Sequence, residues 1–579
     1  MATTGTEQRD GAFTHKQVLT ILTGLLLGMF LAALDQNIVA TAIRRIGDDL
    51  NGLSVQAWVT TAFLITSTIA TPLYGKLSDM YGRKPFFLLA ISVFVGGSAL
   101  CGLATNMYML AAFRAFQGLG AGGLFSLALA IMADIVSPQE RPRYMGYFMA
   151  VFATSSVLGP VVGGFLSGQS SILGITGWRW IFWVNVPIGL IALVVVNRVL
   201  KLPPRPGRAH GIDWEGALAL VVGLVPLLIV AEQGRGWGWA SGSAFACYVI
   251  GALGLIGFVL VERHMGEEAL IPMRLFDNRV FSVGAAQSLV VGVGMFGGIA
   301  SIPLYLQIVK GASPTKAGLL ILPMVAGIMT ASMVTGQLTS RTGKYKRYPV
   351  IGSAVMVAAM LLMFTIGADT PLWKTDIYML LFGAGLGMNM QTVQLAMQNA
   401  VAPRDIGVAT SSGTFFRQMG GTLGTAVFLS ILFSSAPGHI ANAYKSAGST
   451  PAYRAAAAAH PDQLATLQHH SGSLNDTSFV NQIDKVLAHP FLVGFSKAMD
   501  TVFLVGAFVL VVSFVLSLML KEIPLRRVSG IEAAQAEAAK AHHGERLESI
   551  TEAAARSAPG GPRPPTEAEV DSAVRPSGS

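Results

Sequence analysis

The chain has 579 residues, of which 52% are hydrophobic and only 12% charged, with a formal net charge of +9. Soluble domains carry about a quarter charged residues, so a soluble enzyme or a nucleic-acid-binding domain is a poor match. The positive charge is spread through short connections rather than gathered in one basic patch, which is how a polytopic membrane protein distributes it.

Apolar runs of about 20 residues recur along the chain, long enough as helices to cross a hydrocarbon core of about 30 Å. None alternates with the period of two that a barrel strand requires, and lipid leaves bare backbone no other partner than itself, so helices are expected. Residues 1–16 are polar and lead directly into the first run, with no cleavable signal peptide evident. Taken in chain order, the runs predict about fourteen helices, at 17–42, 54–75, 85–104, 107–134, 144–168, 179–200, 213–232, 243–262, 281–309, 315–338, 348–367, 376–400, 408–433 and 498–521. One set of loops holds Lys76, Arg83, Lys84, Arg141, Arg143, Lys201, Arg205, Arg208, Arg263, Arg274, Arg279, Arg341, Lys344, Lys346, Arg347 and Arg404, and the other chiefly Arg44, Arg45, Arg235, Lys310 and Lys374. With the first set counted over all its loops, this bias orients the chain with both ends in the cytoplasm.

Residues 434–497 interrupt the tight connections with a polar, Ala- and His-rich stretch, expected as an extracytosolic loop with weak helical signals near Ala455 and Ile483. It holds a sequon at Asn475 and an adjacent pair, His469–His470, the latter a weak metal pattern. The tail, 522–579, is rich in Ala, Glu, Pro and Ser and is expected to be disordered beyond one solvated helix near 531–556. Cys101 and Cys247 lie in apolar runs without metal-ligand spacing and read as buried thiols. No His-x-x-x-His pair and no Walker A loop occurs, so no metal, cofactor or nucleotide drive is expected.

Asp35 is a carboxylate inside an otherwise apolar or small run. A charge near the middle of a membrane helix costs roughly 3 kcal/mol on insertion scales, and such a group is a natural place to bind and release a proton. Asp35 lies about eight residues, or about 12 Å, from the expected outer end of its helix. Arg114 lies at a matching depth in the fourth helix, so an ion pair between them is open, either coupling or merely structural. Gln117, three residues on, shares the face of Arg114. Gln391, Gln394 and Gln398 form a polar stripe that faces either a cavity or a neighbouring helix, and Arg417 sits deep enough to need water or a partner. Met29 stands for a set of methionines able to line a pliable cavity, although core packing is the commoner use. Asp35 is the only deep carboxylate in this assignment.

Several stretches carry a family resemblance. Gly75-Lys76-Leu77-Ser78-Asp79-Met80-Tyr81-Gly82-Arg83-Lys84 stands between the second and third helices, with a degenerate echo at Gly336–Lys344 in which Ser340 replaces the acid. Arg114-Ala115-Phe116-Gln117-Gly118 falls in helix 4, Gly159-Pro160-Val161-Val162-Gly163-Gly164 in helix 5, and Trp178-Arg179-Trp180-Ile181-Phe182-x-x-Asn185 at helix 6. Together they resemble the major facilitator superfamily, in its fourteen-helix drug:proton antiporter branch, over roughly 17–433 and 498–521.

The resemblance implies an all-α membrane protein in which two six-helix bundles rock about a central cavity. The first bundle would be 17–200, two additional helices would occupy 201–280, and the second bundle would take 281–433 and 498–521. In that frame the depth and spacing arguments above have Asp35 and Arg114 couple protons and Met29, Gln117, Gln391, Gln394 and Arg417 line the cavity, while the resemblance implies that Gly159, Pro160, Gly163 and Gly164 shape the half–half interface. Gly75, Asp79, Gly82, Arg83 and Asp134 would form a conformational latch, Asp79 capping a helix near Gly407. The expected activity is export of amphipathic drugs or toxic compounds from the cell by a monomer, in exchange for protons and without a cofactor. Export of a lipid or cell-envelope metabolite, or a non-transporting sensor, are the other readings.

Overall fold

Each expected span is realised as helix in the computed structural model, which describes residues 14–50, 57–201, 213–266, 268–463 and 483–526, and positions 528, 529, 531–533, 546 and 549. The amino-terminal bundle consists of α1 (His15–Asp49), α2 (Ala57–Tyr81), α3 (Arg83–Cys101), α4 (Met107–Ile135), α5 (Arg141–Gly168) and a sixth span broken into α6 (Arg179–Trp183) and α7 (Asn185–Val199). Then follow α8 (Trp214–Trp237), α9 (Gly242–Met265) and the short α10 (Arg274–Asp277). The second bundle is α11 (Arg279–Leu304, continued by a π turn at Tyr305–Val309), α12 (Pro314–Leu320), α13 (Leu322–Thr342), α14 (Arg347–Met363), α15 (Leu372–Ala400), α16 (Ile406–Ala447), α17 (Pro451–Ala459) and α18 (Lys485–Met519).

Among the described residues, eleven helical spans are long and apolar enough to cross a membrane. The expected spans that fall short are α14, with 17 residues, and α2 and α15, whose Thr/Ser and Gln/Asn content lowers their apolarity. Polar content of this kind is tolerated where a helix is enclosed by others rather than by lipid.

Two cores hold the halves. One gathers Leu22, Phe87, Phe94, Leu124 and Phe148; the other gathers Leu306, Met356, Phe382, Phe428, Phe503 and Leu510. The halves meet along α2–α16 and α5–α13. The additional pair α8–α9 is seated on one of these seams, where Leu220 and Leu224 pack with Ile65, Ile69 and Phe415.

Three expectations are corrected by the structure. The stretch 434–497 is not a loop throughout: α16 runs on to Ala447, and α18 starts at Lys485 rather than 498. The cause is an apolar stripe, Leu432, Ala436 and Ile440, that buries against Leu487, Phe491 and Phe495 and was hidden by the polar residues on the opposite face. The sequon at Asn475 and the pair His469–His470 lie outside the described residues. Second, Asp35 is not the only buried acid. The earlier start of α18 leaves Asp500 well inside that helix and 7% exposed, while Glu262 of α9 is fully buried and accepts the Ile271 N–H at 2.9 Å. Third, the first residues after α18 are docked. Ile523 N–H donates to the Tyr345 hydroxyl (3.0 Å), and Arg526 bonds the carbonyls of Asn399 (2.9 Å) and Val401. Ser529 and Glu532 then close a capping box, and Ile531 packs on the core of the other bundle. This strap crosses from one half to the other. Most of the helix expected over 531–556 lies outside the described residues.

Losing Arg526 leaves two buried carbonyls without their charged donor, at about 1–3 kcal/mol. Arg526→Ala is therefore expected to lower the melting temperature of the purified protein by several degrees. An unchanged melting curve in detergent would show that the strap carries no stability.

Candidate functional site

Asp35 sits in α1 with no solvent exposure, and its charge is met by side chains from two other helices. Arg114 Nη1 of α4 lies 2.5 Å from Oδ2, Gln117 Nε2 donates to Oδ1 at 3.0 Å, and Asn185 Nδ2 of α7 donates to the same Oδ1 at 2.7 Å. This donor set matches an ionised carboxylate, which only accepts. Arg114 Nη1 also donates to Gln117 Oε1 (2.8 Å), its Nε reaches the Val59 carbonyl (3.4 Å), and its guanidinium lies 3.9 Å from the centre of the Phe63 ring. Ser98 of α3 accepts from Asn185 (3.0 Å) and donates to the Phe182 carbonyl (2.8 Å), fixing the amide from behind.

Local packing explains why these groups meet. A Cβ at Gly97 of α3 would fall 2.6 Å from the Gln117 Cα, so only glycine lets α3 and α4 approach closely enough to bring Gln117 onto Asp35. The break between α6 and α7 is pinned by Trp178 donating to Asp49 (2.8 Å) and by Arg179 donating to the Gly102 and Ala104 carbonyls (2.8 Å each). Asn185 opens α7 just beyond this anchor.

The second cluster lies where α2 turns into α3, on the face expected above to be cytoplasmic. Arg83 Nη2 is 2.6 Å from Asp79, its Nε is 2.8 Å from Asp134 at the end of α4, and its Nη1 meets Ser78 at 2.5 Å. Asp79 Oδ2 in turn accepts the Val408 N–H at the start of α16 (2.9 Å), crossing to the other bundle at a helix N-terminus where negative charge is favoured. Gly82 supplies the turn with φ +97°. Gly75 and Gly407 allow the close approach: a Cβ at Gly75 would lie 2.0 Å from the Ser411 hydroxyl, and one at Gly407 would lie 2.2 Å from Arg83 Nη1. On the same face Gln139 donates to the Ser340 carbonyl (3.0 Å) and Arg141 to Gln398 (2.8 Å), so the bundles are joined there at several points. Arg274 reaches Asp405 through two bonds of 2.9 and 3.0 Å, which ties the segment after α9 to the same place.

The remaining candidates divide. Gln391, Gln394 and Gln398 face the seam between halves, lining a slot with Met145 and Thr335 that has about 10 Å³ of free room, enough for about one water. Met29 is packed in the core of the amino-terminal bundle and Gln117 is a ligand of Asp35; neither faces the seam. The Asp35–Arg114 pair is likewise enclosed within one bundle rather than spanning a central cavity, because α4 and α7 close over α1. Gly159 and Gly163 bring α5 onto Asn37 and Thr41 of α1, inside the same bundle, while Pro160 touches the position of Gly318 in the other half and Gly164 borders open space. Asn185 and Ser98 were missed as site residues. Asn185 stood in a recognised motif, but its contact depends on the α6–α7 break, which periodicity does not reveal.

This fold and these motifs agree with what comparison finds. The sequence profile described as Major Facilitator Superfamily matches residues 25–425. The chain belongs to that superfamily. It is 37% identical over 506 residues, 87% of its length and 70% of the relative, to an uncharacterized MFS-type transporter of Mycobacterium tuberculosis. It is 37% identical over 419 residues to the Multidrug resistance protein 3 of Bacillus subtilis, and 34% identical over 413 residues to the Multidrug transporter protein MdtP of the same organism. These matches cover 72% of this chain and 80% of the former, and 71% of this chain and 75% of the latter. Among solved structures, the human organic anion transporter MFSD10 aligns with TM-score 0.52 at 16% identity, over 85% of this chain and 99% of that one. The proton:xylose symporter XylE aligns with TM-score 0.52 at 16% identity, over 86% and 95%; at this identity both speak for the fold alone. The protein is thus a multi-pass membrane transporter of the superfamily.

Proposed function

We propose that the protein exports amphipathic compounds across the cytoplasmic membrane in exchange for protons, as a monomer with both termini in the cytoplasm. The observation that carries this reading is the fully enclosed Asp35 carboxylate with its three donors, since a charge at that depth is retained for use. The names of the Bacillus relatives support the substrate class.

Asp35 is the proton acceptor. Protonation removes its charge, and the Arg114 guanidinium loses its counter-ion. Arg114 and Gln117 belong to α4, whose other end carries Asp134, about 25–30 Å away at 1.5 Å per residue. Asp134 holds Arg83, and Arg83 holds Asp79 against the start of α16. The tightly packed α3–α4 pair links the proton site to the latch, so a shift of α4 on protonation loosens the closed face and commits the cycle to the next state. The proton gradient is the drive, and no cofactor takes part.

Reconstitution into vesicles with a fluorescent amphipathic dye and an imposed pH gradient tests this reading. Dye is expected to accumulate against its gradient and to run back on addition of a protonophore. Movement that ignores the protonophore would leave a passive facilitator, and no movement would remove the exporter reading.

A further inference from the structure

The seam between α15 and α16 carries polar groups that the proton site and the latch do not use. The two helices run antiparallel, and Gln398 Nε2 donates to Thr410 Oγ1 (2.9 Å) while Gln394 Nε2 approaches the Thr410 carbonyl (3.3 Å). A Cβ on Gly413 would lie 2.5 Å from Gln394 Oε1, so the seam continues one turn further along. Continued by one more turn on each helix, the same register would set Gln391 of α15 opposite Arg417 of α16.

Both are unsatisfied. Gln391 is 8% exposed, and neither its Nε2 nor its Oε1 has a hydrogen-bond partner among the described residues; Gln394 Oε1 has none among them either. Arg417 is partly buried and makes no hydrogen bond or ion pair with any described residue. The buried carboxylates that might have neutralised it are bonded elsewhere: Asp35 to Arg114, Asp79 and Asp134 to Arg83, Asp405 to Arg274, Asp500 to Lys497 and Glu262 to the Ile271 N–H. An uncompensated guanidinium at this depth is costly and calls for an acceptor, while buried amide atoms left unpaired call for a ligand that both donates and accepts.

We infer that Arg417 and Gln391 select the substrate, and that the preferred class is an amphipathic anion with a hydroxyl or amide donor beside its acidic group. The acidic group lies on the Arg417 fork, its neighbouring oxygen takes the Gln391 Nε2 hydrogen, and the donor meets Gln391 or Gln394 Oε1. This rests on the exporter reading and narrows it: among amphipathic compounds, cations become the poorer substrates, because Asp35 is enclosed and already paired.

Two dyes on one xanthene frame separate the anionic class from the cationic one: fluorescein, with a free carboxylate, and the methyl-ester rhodamine cation, whose carboxylate is capped. Transport of each is measured in everted vesicles by filtration and extraction, for wild type, Arg417→Gln, Arg417→Lys and Gln391→Leu. The fluorescein-to-rhodamine ratio of kcat/KM is expected to fall roughly 10- to 100-fold in Arg417→Gln, the range of one charge-assisted contact. In Arg417→Lys the ratio stays closer to wild type. Gln391→Leu moves it the same way by a smaller factor, which keeps the test decisive if the arginine variant fails to insert. A ratio unchanged in both variants, or a wild type that moves rhodamine and not fluorescein, overturns the inference and leaves the exporter reading intact. Failure of the wild type to move either dye overturns both.

Discussion

Asp35→Asn is expected to abolish accumulation driven by a pH gradient while the protein remains inserted and still exchanges substrate across vesicles at equal pH. Asparagine has the shape of the carboxylate and an oxygen that can accept from Arg114, but it cannot carry the proton. It therefore fixes the electrostatic state of the loaded transporter. Removing one partner of a buried pair costs about 3–5 kcal/mol, so Asp35→Ala should unfold more readily than Asp35→Asn, whose amide oxygen still meets the Arg114 guanidinium. Gln117 and Asn185 both donate to the other oxygen of Asp35, and the new amide nitrogen takes its place and opposes both donors, so a loss of stability accompanies the functional one. Gradient-driven uptake and equilibrium exchange, measured on the same vesicles, separate coupling from folding. Uptake at the wild-type rate in Asp35→Asn would remove Asp35 from the proton path.

The helices were legible because fourteen apolar runs of bilayer length leave lipid-facing backbone few alternatives. Their meeting points were less so. The approach of Asp35 to Arg114 followed from counting depths along two helices, which works when both cross the same slab. Asn185 escaped because its place depends on a break between Trp183 and Asn185 held by Asp49, Gly102 and Ala104, contacts distant in sequence. A helix end at 42 also places Asp35 too near the outer surface, since α1 continues to Asp49. Ile440 and Phe491 show the opposite failure. Their polar neighbours suggested a loop, yet an apolar stripe on one face was enough to extend α16 and α18 as a packed pair. Whether a polar side chain faces a cavity or a core is decided by which neighbour covers it, and Gln117, enclosed by α1 and α3, shows that helical spacing alone does not say.

The latch yields the second large effect. Gly407→Val is expected to open the closed face, because its Cβ would lie 2.2 Å from Arg83 Nη1 and 2.4 Å from Asp79 Oδ2, both held in place by ion pairs. Neither side chain can retreat without giving up a charged partner, so α16 must move away from α2. Asp79→Asn acts in the same direction by a different route, removing the charge that pairs with Arg83 and caps Val408. Breaking such a pair costs about 3–5 kcal/mol, and about 5.5 kcal/mol suffices to turn a 99:1 population into its reverse, so either variant should shift most of the closed state. Thr339 reports the shift. It is fully buried on the slot between the halves, and Thr339→Cys, made in a background with Cys101 and Cys247 replaced, should react slowly with an impermeant maleimide in the wild-type latch and at least about tenfold faster with Gly407→Val. The two single variants converge on one product, an opened α2–α16 seam, so combining them should add little. Labelling that stays slow in both would show that the closed face is held by the Gln139–Ser340, Arg141–Gln398 and Arg274–Asp405 contacts without the latch.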